Sequence, residues 1–241
     1  MDNLWKEERA FLKEGIQKLG ISMGKEDVEK LENYITLLFE WNRVLNLTGC
    51  EEKTTIITEL VLDSLSGLRF VEGSTLIDVG TGGGIPGIPL KIARPDLTLA
   101  LLESQKKKVS FLNEAVAKLN LLQVHIQNDR AENVAFHPLW REQFDTATAK
   151  ALAPLAIALE LTVPFLKIGG LGIYYKGKRY QEEIQKAQRA LGILSCVIEN
   201  IREVSIPFRE RKTYLILVRK RGPTPSSFPR KAGFPQKKPL L

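Results

Sequence analysis

The residues of this chain that could do chemistry are concentrated in one glycine-rich segment. Residues 78–90 read DVGTGGGIPGIPL, with glycines at the first, third and fifth positions counted from Gly80. Glycine lets the backbone turn sharply and approach a ligand closely. A glycine loop between a buried strand and a helix is where nucleotide-like ligands bind in open α/β sheets. The segment therefore indicates binding of a nucleoside cofactor.

The spacing of these glycines distinguishes between nucleoside cofactors. A dinucleotide-binding loop has its third glycine at the sixth position, where this chain has Ile85. A phosphate-binding P-loop ends in Gly-Lys-Ser/Thr, and no such tripeptide follows here. The observed G-x-G-x-G, at Gly80, Gly82 and Gly84, is similar to the loop of class I methyltransferases that use S-adenosylmethionine.

Acidic residues around the loop complete the expected cofactor site. Glu103 closes the next apolar run, and a carboxylate there can accept both ribose hydroxyls in charge-assisted hydrogen bonds. Asp78 either caps the backbone of the loop or faces the charged methionine end of the cofactor. After the third apolar run, Asp129 or Glu132 can accept a hydrogen bond from the adenine amine, although Glu132 can equally cap a short helix.

The elements that must position these residues alternate between strand and helix. Apolar runs predict seven strands, at 75–79, 97–103, 122–127, 144–150, 171–177, 194–201 and 213–220. Helical patterns fill 109–119, 153–166 and 181–191. Such alternation favours a parallel sheet covered on both faces. The last two runs have no helix between them, so the sequence predicts an α/β fold with a mostly parallel sheet that ends in a hairpin.

The chain divides into three predicted parts. Residues 1–73 carry amphipathic helical patterns and predict a helical N-terminal subdomain, and residues 74–220 form the α/β domain. The net charge of +7 comes from residues 219–241, which contain seven Lys and Arg and no acid. Because residues 221–241 are also rich in Pro, Gly and Ser, we expect a flexible basic tail. It either contacts a polyanion such as nucleic acid or only increases solubility.

Composition excludes several classes of protein. Two cysteines and two histidines exclude a disulfide scaffold and disfavour a zinc cluster. No stretch approaches ~20 uninterrupted apolar residues, so we expect no membrane span. The N-terminus has no apolar segment typical of a secretory signal. We therefore expect a cytoplasmic protein. Composition does not indicate the oligomeric state, for which we expect a monomer.

Elimination narrows the choice of atom that accepts the methyl group. Methylation of a pyrimidine carbon at position 5 needs a cysteine nucleophile, and neither Cys50 nor Cys196 follows the fourth strand. Exocyclic base amines are usually handled by an Asn/Asp-Pro-Pro-aromatic motif at that place, where residues 150–154 read KALAP. A ring nitrogen with a free lone pair, such as N7 of guanine, needs no proton removed. Methylation of a catechol or a small acid stays open.

Several motifs together resemble one family. They are Asn46-Leu47-Thr48, Leu62-Asp63-Ser64, the DVGTGGGIPGIPL loop, and LLES followed by Lys106–Lys108. Over about residues 20–220 the chain resembles the bacterial 16S ribosomal RNA guanine-N7 methyltransferases (RsmG, formerly GidB). The resemblance implies a class I fold with a helical leader and S-adenosylmethionine as donor, leaving S-adenosylhomocysteine. It implies a guanine of the small ribosomal subunit RNA as acceptor.

The resemblance also implies roles for individual residues. The family's cofactor contacts fall on Gly80, Ile85, Glu103, Ser104, Gln105, Ala131, Glu132 and Lys150. Lys150, Lys176 and Arg211 match basic positions near the family's active face and are expected to position the RNA. No catalytic base and no metal ligand are assigned. The family commonly has arginine in place of Lys150, and it often shows Arg-His where this chain has Glu59-Leu60, which weakens any phosphate contact expected there.

Two other functions stay open at this stage. The chain could be a module that binds S-adenosylmethionine or RNA without catalysis, because fold alone does not give activity. It could also methylate a small molecule in a closed pocket, independently of RNA. Asn46 and Thr48 similarly allow two interpretations: they cap the end of a helix, or their turn packs over the cofactor loop and shapes the pocket for the target base.

Overall fold

A computed structural model describes residues 4–241 of the chain. The first three residues of the predicted helical subdomain lie outside this range. The chain begins with helices α1 (Leu4–Lys18) and α2 (Lys25–Leu45). A continuous helical segment follows, made of α3 (Lys53–Thr55), a π-helix (Ile56–Leu62) and α4 (Asp63–Leu65), and a 3-10 turn (Leu68–Phe70) ends the leader.

The remainder of the chain alternates strands and helices. The strands are β1 (Thr75–Val79), β2 (Thr98–Glu103), β3 (Val124–Asn128), β4 (Phe144–Lys150), β5 (Leu166–Lys176), β6 (Cys196–Val204) and β7 (Thr213–Lys220). The helices are α5 (Gly87–Ala93), α6 (Lys106–Lys118), α7 (Ala131–Val134), α8 (Leu155–Thr162), α9 (Tyr180–Lys186), α10 (Gln188–Ile193) and α11 (Phe234–Lys237), with a 3-10 turn (Val163–Phe165) before β5.

The seven strands form one sheet in the order β3-β2-β1-β4-β5-β7-β6. The first five strands are parallel, and β7 pairs antiparallel with β5 and β6. The strand order reverses beside β1, which lies between β2 and β4, and this is where open α/β sheets bind ligands. The predicted α/β fold with its terminal hairpin is confirmed.

The leader helices and the sheet share one hydrophobic core. Side chains from α1 and α2, such as Leu12 and Leu38, belong to the same buried cluster as Leu76 and Leu101 of the sheet. The opposite face of the sheet is covered by α7, α8, α9 and α10 through two further clusters. The leader therefore forms one of the two helical layers on the sheet together with α5 and α6, whose side chains belong to the same cluster. Within residues 4–241 no helix is both long and apolar enough to cross a bilayer.

Several element boundaries differ from those predicted by a few residues, and two of the differences change how a segment is divided into elements. The 181–191 pattern is divided between α9 and α10, which meet at Ala187. Strand β5 begins at Leu166, where a helix was expected to end. The prediction missed this start because Gly169-Gly170 interrupts the apolar pattern of the strand. Neither difference moves the carboxyl edge of the central strands.

The C-terminal segment differs more from expectation, because it packs on the molecule. Arg230 pairs with a buried glutamate, Glu160, and Pro235 and Leu240 are buried. Composition predicted a flexible tail because Pro, Gly and Ser cannot build a core of their own. Here the segment instead uses acids of the α/β domain as partners.

Candidate active site

The glycine loop occupies the carboxyl edge of the central strand β1. The amides of Gly80 and Thr81 both donate to the carbonyl of Leu102 on β2, at 2.8 and 3.2 Å. Gly80, Gly82 and Gly84 have φ values of +68°, +58° and +85°. L-residues with side chains rarely adopt this left-handed conformation. The alternating glycine spacing thus reflects a backbone that turns left-handed at every second residue.

Asp78, near the end of β1, holds the glycine loop in place through hydrogen bonds. Its carboxylate is fully buried and accepts hydrogen bonds from the Thr81 hydroxyl (2.5 Å), the Gly87 amide (2.9 Å) and the Thr148 hydroxyl (3.1 Å). Burial outweighs these bonds and raises the pKa of Asp78 to about 6. Of the two roles considered for this residue, the geometry matches capping of the loop backbone.

We predict that Asp78→Asn changes how stability depends on pH. The folded-state pKa of Asp78 is raised from 3.8 to about 6, so the folded protein binds a proton more tightly than the unfolded chain. Stability contributed by this group is fully present below about pH 4 and is lost as pH rises through about 6, by about 3 kcal/mol in total and by roughly half of that between pH 5 and pH 7.5. Urea unfolding at pH 5 and pH 7.5 should show this loss in the wild type and a smaller one in Asp78→Asn. An equal pH response in both proteins would contradict the assignment.

Glu103 lies at the end of β2 and touches the glycine loop directly. Its Oε2 accepts a hydrogen bond from the Gly82 amide at 3.0 Å, and its Oε1 accepts one from the Gln105 amide at 2.8 Å. A carboxylate has about four acceptor positions, so each oxygen keeps capacity for a further donor. Asn128, at the end of β3, donates to the carbonyls of Glu103 and Ser104 and fixes this strand end.

A crevice opens beside the loop between the ends of β1, β2 and α7. It brings together five residues singled out from the sequence: Gly80, Ser104, Asp129, Ala131 and Glu132. It also contains residues that sequence reasoning missed: Val79, Leu102, Arg130, Leu152, Leu161 and Gln236. The apolar members are ordinary strand and helix residues, so no sequence pattern marks them. The other expected cofactor residues lie outside the lining of the crevice: Asp78, Gly82, Gly84, Ile85, Glu103, Gln105 and Lys150. Glu103 lies beside the crevice, between Leu102 and Ser104, which both line it.

The two acids after β3 have different surroundings. The Oε1 of Glu132 accepts from Arg130 at 3.0 Å and from the Gly233 amide at 2.8 Å, and the residue is only 4% exposed. Asp129 lines the crevice and binds the Arg130 amide and the Asn133 side chain through its Oδ1. Of the two, Asp129 has the more available carboxylate oxygen.

The turn after α2 packs over the glycine loop. Asn46 ends α2 in a left-handed conformation and donates to the carbonyl of Asn42. A methyl group placed on Gly83 would lie 3.8 Å from Thr48 Cγ2, and the Tyr34 hydroxyl donates to the Gly83 carbonyl at 2.5 Å. The turn therefore stops α2 through the backbone of Asn46 and lies over the loop, while its role in shaping the pocket for the target base stays a prediction.

The basic residues expected to position RNA differ in exposure. The Lys150 ammonium donates to Asp63 and to the Glu59 carbonyl, both at 2.6 Å, and its side chain is 12% exposed. Lys176 pairs with Glu183 and donates to the Ala153 carbonyl, both at 2.7 Å, with its side chain 10% exposed. A phosphate contact by either lysine would require breaking these internal bonds.

Arg211 remains largely accessible, with 73% of its side chain exposed, although it pairs with Glu59. Glu59 also pairs with Arg209 at 3.0 Å. The sequence comparison had marked Glu59 as a departure from a basic position, and the structure shows two arginines balancing it. Arg209, which sequence reasoning missed, also lies 3.3 Å from Asp63.

Asp63 is the centre of this charged cluster. It is 4% exposed and contacts Lys150, Arg209 and the hydroxyl of Thr213. Burial alone would raise the pKa of Asp63, but these partners outweigh it, so the pKa lies below its usual value. The cluster ties the helical leader to β4 and β7 at the edge of the sheet near the glycine loop.

Comparison with known proteins agrees with this geometry. The profile of the family described as "GidB: rRNA small subunit methyltransferase G" matches residues 27–213. The chain is 40% identical to the ribosomal RNA small subunit methyltransferase G of Thermoanaerobacter sp. (strain X514), over 95% of this chain and 97% of that protein. It is also 40% identical to the protein of the same name from Alkaliphilus metalliredigens (strain QYMF), over 97% of this chain and 99% of that one.

Solved structures support the fold. A SAM-dependent methyltransferase from Aquifex aeolicus superimposes with a TM-score of 0.52 at 18% sequence identity. The alignment covers 68% of this chain and 92% of that one. At this level of identity the likeness concerns the architecture of the sheet and its helices.

Proposed function

The chain belongs to the GidB family of rRNA small subunit methyltransferases G, and from this premise we propose that it transfers the methyl group of S-adenosylmethionine to N7 of a guanine in 16S ribosomal RNA. The observation that carries the proposal is the Glu103 carboxylate, bonded to the Gly82 amide at the carboxyl edge of the sheet. This pairing of a glycine loop with an acid on the next strand suits a nucleoside with free ribose hydroxyls.

The residues present fit S-adenosylmethionine. Glu103 would hold the ribose hydroxyls through the acceptor positions that its two loop contacts leave available. Asp129 would accept from the adenine amine, and it lines the crevice beside the glycine loop together with Ser104 and Ala131. Gly80 forms part of its wall, where an added methyl group would come within 2.4 Å of Leu152 Cδ1.

The proposed reaction requires the protein mainly to position the methyl donor and the guanine base. Bound S-adenosylmethionine supplies an electrophilic methyl group, and N7 of guanine offers a lone pair without loss of a proton. Aligning these groups accounts for much of the rate of such a displacement. Burial raises the pKa of Cys196 to about 12 and also raises that of Cys50. Neither thiol is therefore activated as a nucleophile, in line with N7 chemistry.

The RNA side of the site is proposed to lie beside the turn after α2. A cleft of about 470 Å³ is lined there by Asn46, Thr48 and Cys50, among others. Unpaired bases are recognised through their edges and faces in such concave sites. Arg211 is exposed and its charge acts on Cys50, which lines this cleft. It would hold a phosphate beside the exposed Arg43, which also lines the cleft, while Lys150 would act through Asp63.

The oligomeric state, the form of the RNA substrate and the location in the cell are also proposals. We expect the chain to act as a monomer in the cytoplasm on the small ribosomal subunit or its RNA. Sedimentation of the purified protein, alone and with 30S particles, would measure both the oligomeric state and the complex. A stable dimer in the absence of RNA would contradict the monomer.

The proposed reaction is tested by incubating the protein with methyl-labelled S-adenosylmethionine and either 30S particles or naked 16S RNA. We expect label in N7-methylguanine after nuclease digestion and mass spectrometry. Asp78→Asn provides a variant with a weakened loop and should label more slowly. Cofactor binding without label in either RNA substrate would contradict the proposal and favour a non-catalytic binding module. Label in a small molecule without RNA would favour the other alternative.

A further inference from the structure

The C-terminal arm, residues 221–241, is fastened to the α/β domain at several points. The carboxylate of Glu142, before β4, accepts from the Thr224 amide at 2.8 Å. The guanidinium of Arg141 donates to the carbonyls of Thr224 and Phe228, both at 2.9 Å. These contacts hold the start of the arm against the segment between α7 and β4.

A buried ion pair fixes the middle of the arm. Glu160, on α8, is fully buried. Its carboxylate accepts from the amide and the guanidinium of Arg230, at 2.9 Å for the amide, 2.8 Å for Nε and 2.6 Å for Nη2. A buried carboxylate is strongly unfavourable without its partner. Docking of the arm therefore stabilises α8 as well, because Arg230 is the partner of the buried Glu160 carboxylate.

The arm then reaches the crevice. Gly233, with φ of +78°, turns the backbone so that its amide donates to Glu132 at 2.8 Å. The next residues form α11, from which Gln236 lines the crevice together with Gly80 and Ala131. The contact to Glu132 means that a residue expected to contact adenine holds the arm in place.

The basic residues of the C-terminal segment are divided between internal ion pairs and exposed positions. Arg219, before the arm, pairs with Glu72 of the leader and Glu199 of β6. Lys220 pairs with Glu142, and within the arm Arg230 pairs with Glu160. Several of the bases that composition had assigned to nucleic-acid binding are thus neutralised by internal acids. Arg221, Lys231, Lys237 and Lys238 remain exposed, and Lys237 serves below as the measure of an RNA role.

From these contacts we infer that the C-terminal arm forms one wall of the cofactor site and that Gln236 is a cofactor-binding residue. The inference rests on the proposed function, since it takes the crevice to be the site of S-adenosylmethionine. A glutamine side chain carries both donors and an acceptor, which suits the polar edge of a nucleoside. Arg230, Gly233 and Glu132 are positioning residues that hold Gln236 at the crevice.

The test compares full-length point variants by calorimetry with S-adenosylmethionine and with S-adenosylhomocysteine. Gln236→Ala should raise the Kd for both compounds about 3- to 10-fold, as expected for loss of one or two hydrogen bonds. Both are affected equally because they share the nucleoside. The matched control Lys237→Ala, an exposed neighbour on α11, should bind both compounds like the wild type.

Further variants separate positioning from contact. Arg230→Ala should also raise both Kd values, and Arg230→Lys should restore part of the affinity because it keeps the charge opposite Glu160. Thermal melting identifies any loss of folding in the Arg230 variants. Gln236→Ala should melt like the wild type, because its side chain is exposed at the mouth of the crevice.

Unchanged cofactor affinity in Gln236→Ala would overturn the inference while the wild type still binds and methylates. Slower RNA methylation in Lys237→Ala, with all cofactor affinities unchanged, would also overturn it and assign the arm to RNA. A wild-type protein that binds neither compound would instead overturn the proposed function, and the inference with it.

Discussion

Glu103→Ala is expected to weaken binding of S-adenosylmethionine by about 100-fold or more. Each hydrogen bond to a charged group contributes about 1.5–3 kcal/mol, and the proposed ribose contact uses two of them. The substitution also removes the acceptor for the Gly82 and Gln105 amides. The loop then loses its attachment to β2. Calorimetry with the donor measures the loss directly.

Two further variants make this result specific. Glu103→Gln keeps one acceptor oxygen but places an amide group opposite a backbone N–H, so we expect an intermediate affinity. Glu182→Ala removes an exposed glutamate of α9 and should leave binding unchanged. Wild-type affinity in Glu103→Ala would disprove the assigned ribose contact and with it the main support for the cofactor site.

Lys150→Ala is expected to lower the free energy of unfolding by about 3 kcal/mol, the lower end of the range for breaking a buried ion pair. Asp63 would keep Arg209 and Thr213 as partners but lose its contact of 2.6 Å with Lys150. Urea unfolding at pH 7 measures the change. Lys178→Ala, at an exposed position after β5, is the control and should unfold like the wild type.

The pH dependence of this effect has a defined sign. The partners of Asp63 lower its pKa in the folded protein, so the stability they supply is fully present above the unfolded value of about 4. It is lost as pH falls through the lower, folded-state pKa. The difference between wild type and Lys150→Ala should therefore shrink in acid. A difference that grows as pH falls would contradict the ion pair.

Much of the proposed cofactor site could be predicted from sequence because its parts are local. The glycine spacing from Gly80 to Gly84 reports a left-handed backbone that a few neighbouring residues define. Glu103 was found because consecutive parallel strands end at the same edge of a sheet, so the last residue of β2 must lie near the loop after β1. The same reasoning led to Asp129 and Glu132 after β3, whereas Ala131 was implied only by the family resemblance.

The positions of the charged side chains could not be predicted in this way. Lys150 and Lys176 resemble surface bases in the sequence, yet each is buried beside an acid. The sequence indicated that Glu59 weakens a phosphate contact expected at its position, and in the structure Glu59 forms ion pairs with Arg209 and Arg211. Periodicity reports which face of an element is apolar and carries no information about which distant charge lies opposite a given side chain.

Sequence alone therefore determined the α/β fold, the glycine loop and the acid that meets it, since each depends on a short run of residues and on the geometry of parallel strands. Tertiary structure decided that Asp63 gathers Lys150 and Arg209, and that Arg230 brings the C-terminal arm to the crevice. These partners lie tens of residues or more apart along the chain. The free energy of a buried charge depends on what surrounds it in space, so only the packed structure selects them.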